Sequence, residues 1–179
     1  MILQFACSKA GLVLYTLDAP GEDREAAQTA LTAALTLTKA NMLVTPEAHD
    51  DLNYIRLTQE VIPELRIFTH ETGLPFVTPR FPHLRYPVHT GFDQDEKYGW
   101  LPYRYFLVPS DNLDKLIDTS KLTDKTPLAG TFEVDAKGIP TKLGPTLTNQ
   151  QVLEKNVWPT YSAILQKKFH DVKGVGVIF

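Results

Sequence analysis

Between Leu74 and Pro109 the chain places Pro75, Pro79, Pro82, Pro87, Pro102 and Pro109, with Pro63 just upstream. Each proline fixes φ, lacks an N–H and restricts the residue before it, so no helix of ordinary length survives there. The same stretch is dense in aromatic residues: Phe76, Phe81, Tyr86, Phe92, Tyr98, Trp100, Tyr103, Tyr105 and Phe106. The expectation is an extended, loop-rich segment over 74–109, with short strands near 74–78 and 102–108. So long an irregular segment in a compact domain is usually functional or packed against a partner.

The flanks are more regular. Residues 2–6 and 11–17 are apolar runs joined by Cys7-Ser8-Lys9-Ala10, which reads as an N-terminal hairpin. Asp18 to Glu25 opens a helix with acids in its first turn, where the helix dipole favours them. Ala27, Leu31, Ala34, Leu35 and Met42 keep its helical spacing, and Asn41 is a stop. Thr45 and Pro46 have the chemistry of a cap and first position for a second helix. Its stripe is Ala48, Leu52, Ile55, Ile62 and Leu65, and Pro63 ends or kinks it. The stretch from Glu64 to His70 suits a short helix better than a strand.

Beyond the proline segment, Ser110 caps a short helix over 111–119. Residues 129–135 and 139–143 form a hairpin around Asp135-Ala136-Lys137-Gly138. Thr148 to Gln151 is a capping box opening a last helix, striped by Leu153, Val157, Tyr161, Leu165 and Phe169. Trp158-Pro159 breaks or kinks that helix, and Val175 to Phe179 reads as a strand. The class is α+β, with residues 1–179 as a single domain. Its parts are a small mixed or antiparallel sheet with an N-terminal hairpin, three to four helices, and the irregular segment 74–109.

With 179 residues and 43% apolar content, the chain can bury a real core, which excludes intrinsic disorder. The net charge of −3 is unevenly spread: residues 1–77 hold five Lys/Arg against ten Asp/Glu, and the remainder is nearly balanced. Nucleic-acid binding needs clustered cations, so it is not expected. One cysteine excludes a disulfide framework, and no apolar run approaches the roughly 18 residues of a membrane helix. The start lacks a basic leader and an apolar signal region. The expected location is the cytoplasm or the interior of an assembled particle, with no membrane contact.

No familiar catalytic motif is complete in this chain. Lys173-Gly174-Val175-Gly176 has glycines but no helix to present a phosphate site. His49-Asp50-Asp51 has no histidine ahead of it to complete a metal set, and reads as a solvated acidic turn. A lone cysteine forbids zinc-finger spacing, and His-Glu-x-x-His is absent. None of the four serines has the flanking glycines of a nucleophile elbow. Cys7 reads as a small apolar residue rather than a nucleophile, since only Lys9 is at hand to lower its pKa. No metal and no cofactor is expected.

One constellation remains, within residues 79–105. His83, His89 and Asp93 are the candidate acid–base groups, with Asp95 and Glu96 close in sequence. Arg80, Arg85 and Arg104, with Trp100 and Tyr103, are the candidate ligand-binding residues, suited to an anionic or sugar-like ligand. The plainer reading is a proline-rich loop whose aromatics pack and whose charges are solvated.

Two functional expectations follow. The first is a non-enzymatic structural or interaction subunit of a larger assembly, such as a virion or tail-type particle. Its contacts run through 79–106 and the C-terminal strand, and its partners are other protein subunits, copies of itself included. The second is a small enzyme or ligand-binding protein with a His/Asp/Arg site in residues 80–104.

Overall fold

A computed structural model describes residues 2–18, 23–49, 52–91, 97–107 and 117–152. They form helices and short strands in several small sheets, an α+β mixture. The chain divides into two compact units. One comprises residues 17–109 and 134–142, and the other residues 1–16, 110–133 and 143–179.

The unit built on residues 17–109 carries the larger core. Helix α2 (Arg24–Thr38) starts at Asp23, whose carboxylate accepts from the Ala26 N–H at 3.0 Å. It ends where Lys39 turns left-handed at φ 50° and donates its N–H to the Leu35 carbonyl. Its buried face is made of Ala26, Ala27, Ala30, Leu31, Ala34 and Leu35. Helix α3 (Tyr54–Val61) adds Ile55, Leu57 and Val61, and the cluster closes over Ile62, Leu65, Phe76, Phe81, Leu84 and Trp100.

The second helix starts later than the Thr45-Pro46 pair suggests. Residues Met42–Thr45 are strand β2, and Ala48–His49 (β3) pairs antiparallel with Leu52–Asn53 (β4). His49 thus lies in a strand rather than a helical first turn. The cap is Asn53, whose side chain accepts from the Arg56 N–H at 2.8 Å. Pro63 does end the helix: Val61 is its last residue, and Pro63–Arg66 forms a 3-10 turn. Of the short helix expected from Glu64 to His70 only that first 3-10 turn forms, and a second one, His70–Thr72, starts where the helix was expected to end.

Within the proline-rich segment the strands fall elsewhere than expected. Residues 74–78 are irregular, Tyr86–His89 is strand β5, and Leu101–Pro102 is strand β6. Tyr103–Phe106 is a 3-10 turn, not a strand. The three strands form a parallel sheet in the order β2-β5-β6. Parallel neighbours need a crossover, and α3 lies in the connection from β2 to β5.

Pro87 sits in the middle strand, a place normally closed to proline. The ladder explains it. Tyr86 N–H donates to the Asn41 carbonyl and Thr90 N–H to the Thr45 carbonyl, so even-numbered residues face β2. Alternation turns the Pro87 nitrogen to the opposite edge, and β6 pairs there only from Val88 onward.

The other unit corrects the N-terminal hairpin. Ile2–Ala10 is helix α1, and only Leu14–Tyr15 (β1) is a strand. Gly11, at φ +68°, donates to the Ser8 carbonyl while Leu12 N–H reaches the Cys7 carbonyl. That double closure is a glycine-terminated helix end. Strand β1 runs parallel to β7 (Pro127–Gly130), whose far edge pairs antiparallel with β10 (Leu147–Thr148). Tyr15 lies over Gly130, where any Cβ would strike its ring.

The expected hairpin is present as β8 (Phe132–Val134) and β9 (Pro140–Leu143). Asp135 binds the turn, accepting from the Lys137 and Ile139 N–H groups, and Gly138 takes φ +78°. The capping box is present as well. Thr148 Oγ1 accepts from Gln151 N–H, and Gln151 Oε1 accepts from Thr148 N–H, at the start of α4 (Asn149–Val152). Ser110 and most of the 111–119 helix, the 153–169 stripe, Trp158-Pro159 and the 175–179 strand lie outside the described residues.

Candidate functional site

The two candidate histidines stand at opposite ends of the parallel sheet. The His83 carbonyl accepts from Asn41 Nδ2, at the residue before β2 begins. His89 is level with Thr45, the last residue of β2. Four residues of extended chain separate those levels, about 13 Å. His83 is half-buried with its ring 6.2 Å from that of Phe81, whereas His89 is wholly buried. The structure does not bring these rings together as a proton-transfer pair or a shared ligand set.

The arginines are also dispersed. Arg80 Nη1 donates to the Val61 carbonyl at 3.1 Å, where a cation complements the C-terminal end of α3. Arg85 Nη1 donates to the Leu84 carbonyl at 2.9 Å. Arg104 is exposed and lies over the ring of its neighbour Tyr105, 5.7 Å from the centroid. Trp100 belongs to the core at 4% exposure, and Tyr103 is half-buried. Asp93, Asp95 and Glu96 lie outside the described residues. Among the described residues, no three His, Cys, Asp or Glu side chains gather as a metal site.

Two polar clusters went unread in the sequence. At the carboxyl end of the sheet, Lys97 Nζ pairs with Glu47 Oε1 at 2.9 Å. The Glu47 backbone carbonyl accepts from Tyr54 and Ile55 N–H, and its side chain fills the space where Gly91 would carry a Cβ. Glu47 therefore ties the start of α3 to the end of β5. The second cluster is centred on Glu60, which Arg24 grips through Nε and Nη2, with Gln28 Nε2 at 2.6 Å and Arg56 Nε at 3.7 Å. The hydrogen bond from Arg24 holds the Glu60 carboxyl below the usual range. Of these contacts only Arg56–Glu60, four apart on one helix, has a spacing that the sequence displays.

Cys7 lies in α1 rather than in a loop after a strand. It is half-buried, and burial pushes its thiol pKa up, away from thiolate chemistry.

What the segment does present is apolar surface. Tyr98, Tyr105, Phe106 and Leu107 are all exposed, on either side in sequence of the buried Trp100 and Pro102. The turn that carries Tyr105 and Phe106 begins directly where β6 ends, so its start is fixed by the sheet. Such an arrangement suits contact with another molecule better than acid–base chemistry.

The chain matches no protein-family model, and neither a curated protein nor a solved structure is detectably similar to it. Among the described residues, no helix is long and apolar enough to cross a membrane.

Proposed function

We propose that the chain is a non-enzymatic interaction subunit of a larger protein assembly. It makes contacts through residues 79–106 and through the apolar strand expected at 175–179. One observation carries the reading. Tyr105, Phe106 and Leu107 are 59%, 46% and 55% exposed in succession, on a turn anchored to the parallel sheet. Consecutive apolar side chains in water lose the hydrophobic gain of burial, which association restores at about 25 cal/mol per Å². The dispersal of His83, His89 and the three arginines supports the same reading, because catalysis needs groups within hydrogen-bond reach.

The test is native mass. In extracts of cells that make it, the protein is expected to sediment well above its 20.1 kDa chain mass. The double substitution Phe106→Ser with Leu107→Ser should shift it toward that mass while leaving the far-ultraviolet circular dichroism unchanged. Sedimentation of the wild type as a free monomer would overturn the reading.

A further inference from the structure

Resting on that interaction reading, we propose that the Tyr103–Leu107 turn docks a protein segment presenting a carboxylate beside apolar side chains. The turn is closed by Leu107 N–H donating to the Arg104 carbonyl at 3.1 Å. Three residues per 3-10 turn stack side chains i and i+3, so Arg104 and Leu107 share one face. Both are exposed, and Phe106 and Tyr105 are exposed beside them. Tyr105 supplies an aromatic plate for the guanidinium, 5.7 Å from the ring centroid, and the Arg104 side chain is otherwise open to solvent.

Within residues 97–107 the only charged side chains are the cations Lys97 and Arg104. Among the described residues Arg104 makes no ion pair, whereas Lys97 is taken by Glu47. No Asp or Glu occurs between Lys97 and Leu107. The turn therefore offers a cation and flanking apolar side chains with no anion of its own. A carboxylate matches the guanidinium fork, and leucine- or phenylalanine-like neighbours match Phe106 and Leu107. Single-stranded nucleic acid also stacks on tyrosine, but its affinity comes from many phosphate contacts. One arginine on a chain of net charge −3 does not supply them.

The probe is a fluorescein-labelled, end-blocked peptide, Gly-Asp-Leu-Phe-Asp-Leu-Gly, titrated into the full chain by anisotropy. Two control peptides carry Asn or Lys in place of both Asp residues. The acidic peptide should bind about five-fold more tightly than the Asn peptide at low salt. The difference should shrink as salt is raised. Arg104→Glu should reverse the preference in favour of the Lys peptide, and Arg104→Lys should keep the original order.

Equal binding of all three peptides, binding of none, or tighter binding of oligothymidylate overturns the proposal. If Phe106→Ser with Leu107→Ser lowers the native mass while Arg104→Glu leaves peptide preference unaltered, the interaction reading stands and only the carboxylate partner falls. If the double substitution leaves native mass unchanged, it is the interaction reading that falls.

Discussion

Arg24, in the first turn of α2, holds Glu60 near the end of α3 by two nitrogens of one guanidinium, Nε and Nη2. Gln28, one turn further along α2, donates to the same carboxylate. The two helices that bury most of the core are thus joined at their solvent-facing side by a charge-assisted fork.

The fork gives stability a pH dependence. The Glu60 pKa is lower in the folded chain, so the unfolded chain takes up the proton first. Its contribution is complete above the unfolded value of about 4.3 and fades as pH falls through the folded one. Glu60→Gln should lower Tm at neutral pH. The gap to wild type should narrow in acid, as read by thermal circular dichroism from neutral pH downward. A gap independent of pH would remove Glu60 ionisation as the cause.

Gly99 should be intolerant where Gly138 is not. Both have positive φ, but a Cβ at Gly99 would press on the Leu65 backbone, whereas at Gly138 nothing lies within 4 Å. Gly138→Ala is expected to cost about 1 kcal/mol for its conformation alone. Gly99→Ala should cost about 2–3 kcal/mol, since contact is added to conformation. Urea midpoints at constant m-value give both figures.

Trp100 and Arg104, close in sequence, should separate cleanly. Trp100→Ala opens a cavity in the core and should cost about 3–5 kcal/mol. Arg104→Ala removes an exposed side chain and should stay within about 0.5 kcal/mol. Equal costs for the two would contradict the placement of Trp100 in the core.

The Cys7 thiol should react slowly. Burial raises its pKa, so alkylation by iodoacetamide near neutral pH should be slower in the native chain than in urea. The native rate should still climb as pH approaches 9. Equal rates in both states would show that the thiol is open to solvent.

Local chemistry that is self-contained could be read from the residues alone. Asp135 and Gly138 build their turn within five residues, Thr148 and Gln151 close on each other, and Pro63 stops α3 because it has no N–H. The N-terminal run failed for a different reason. Short apolar runs have no decisive period, and Gly11, which terminates α1, also suits a hairpin connection. Thr45 and Asn53 are both acceptable caps, and pairing of β2 with β5, more than forty residues away, decides for Asn53. The candidate site was least legible. Closeness in sequence does not make side chains converge, and here an extended strand carries His83 and His89 apart.

The position of Pro87 constrains how the sheet can be extended. Sliding β6 by one residue would turn its buried face outward, so only a two-residue step keeps the pleat. A two-residue step toward the start of β5 would set Leu101 and Pro102 against Tyr86 and Pro87, where a donor is missing. Pro87 is therefore a one-way register stop. It fixes how far along β5 the last strand begins, and with it where the chain turns out toward Arg104, Phe106 and Leu107.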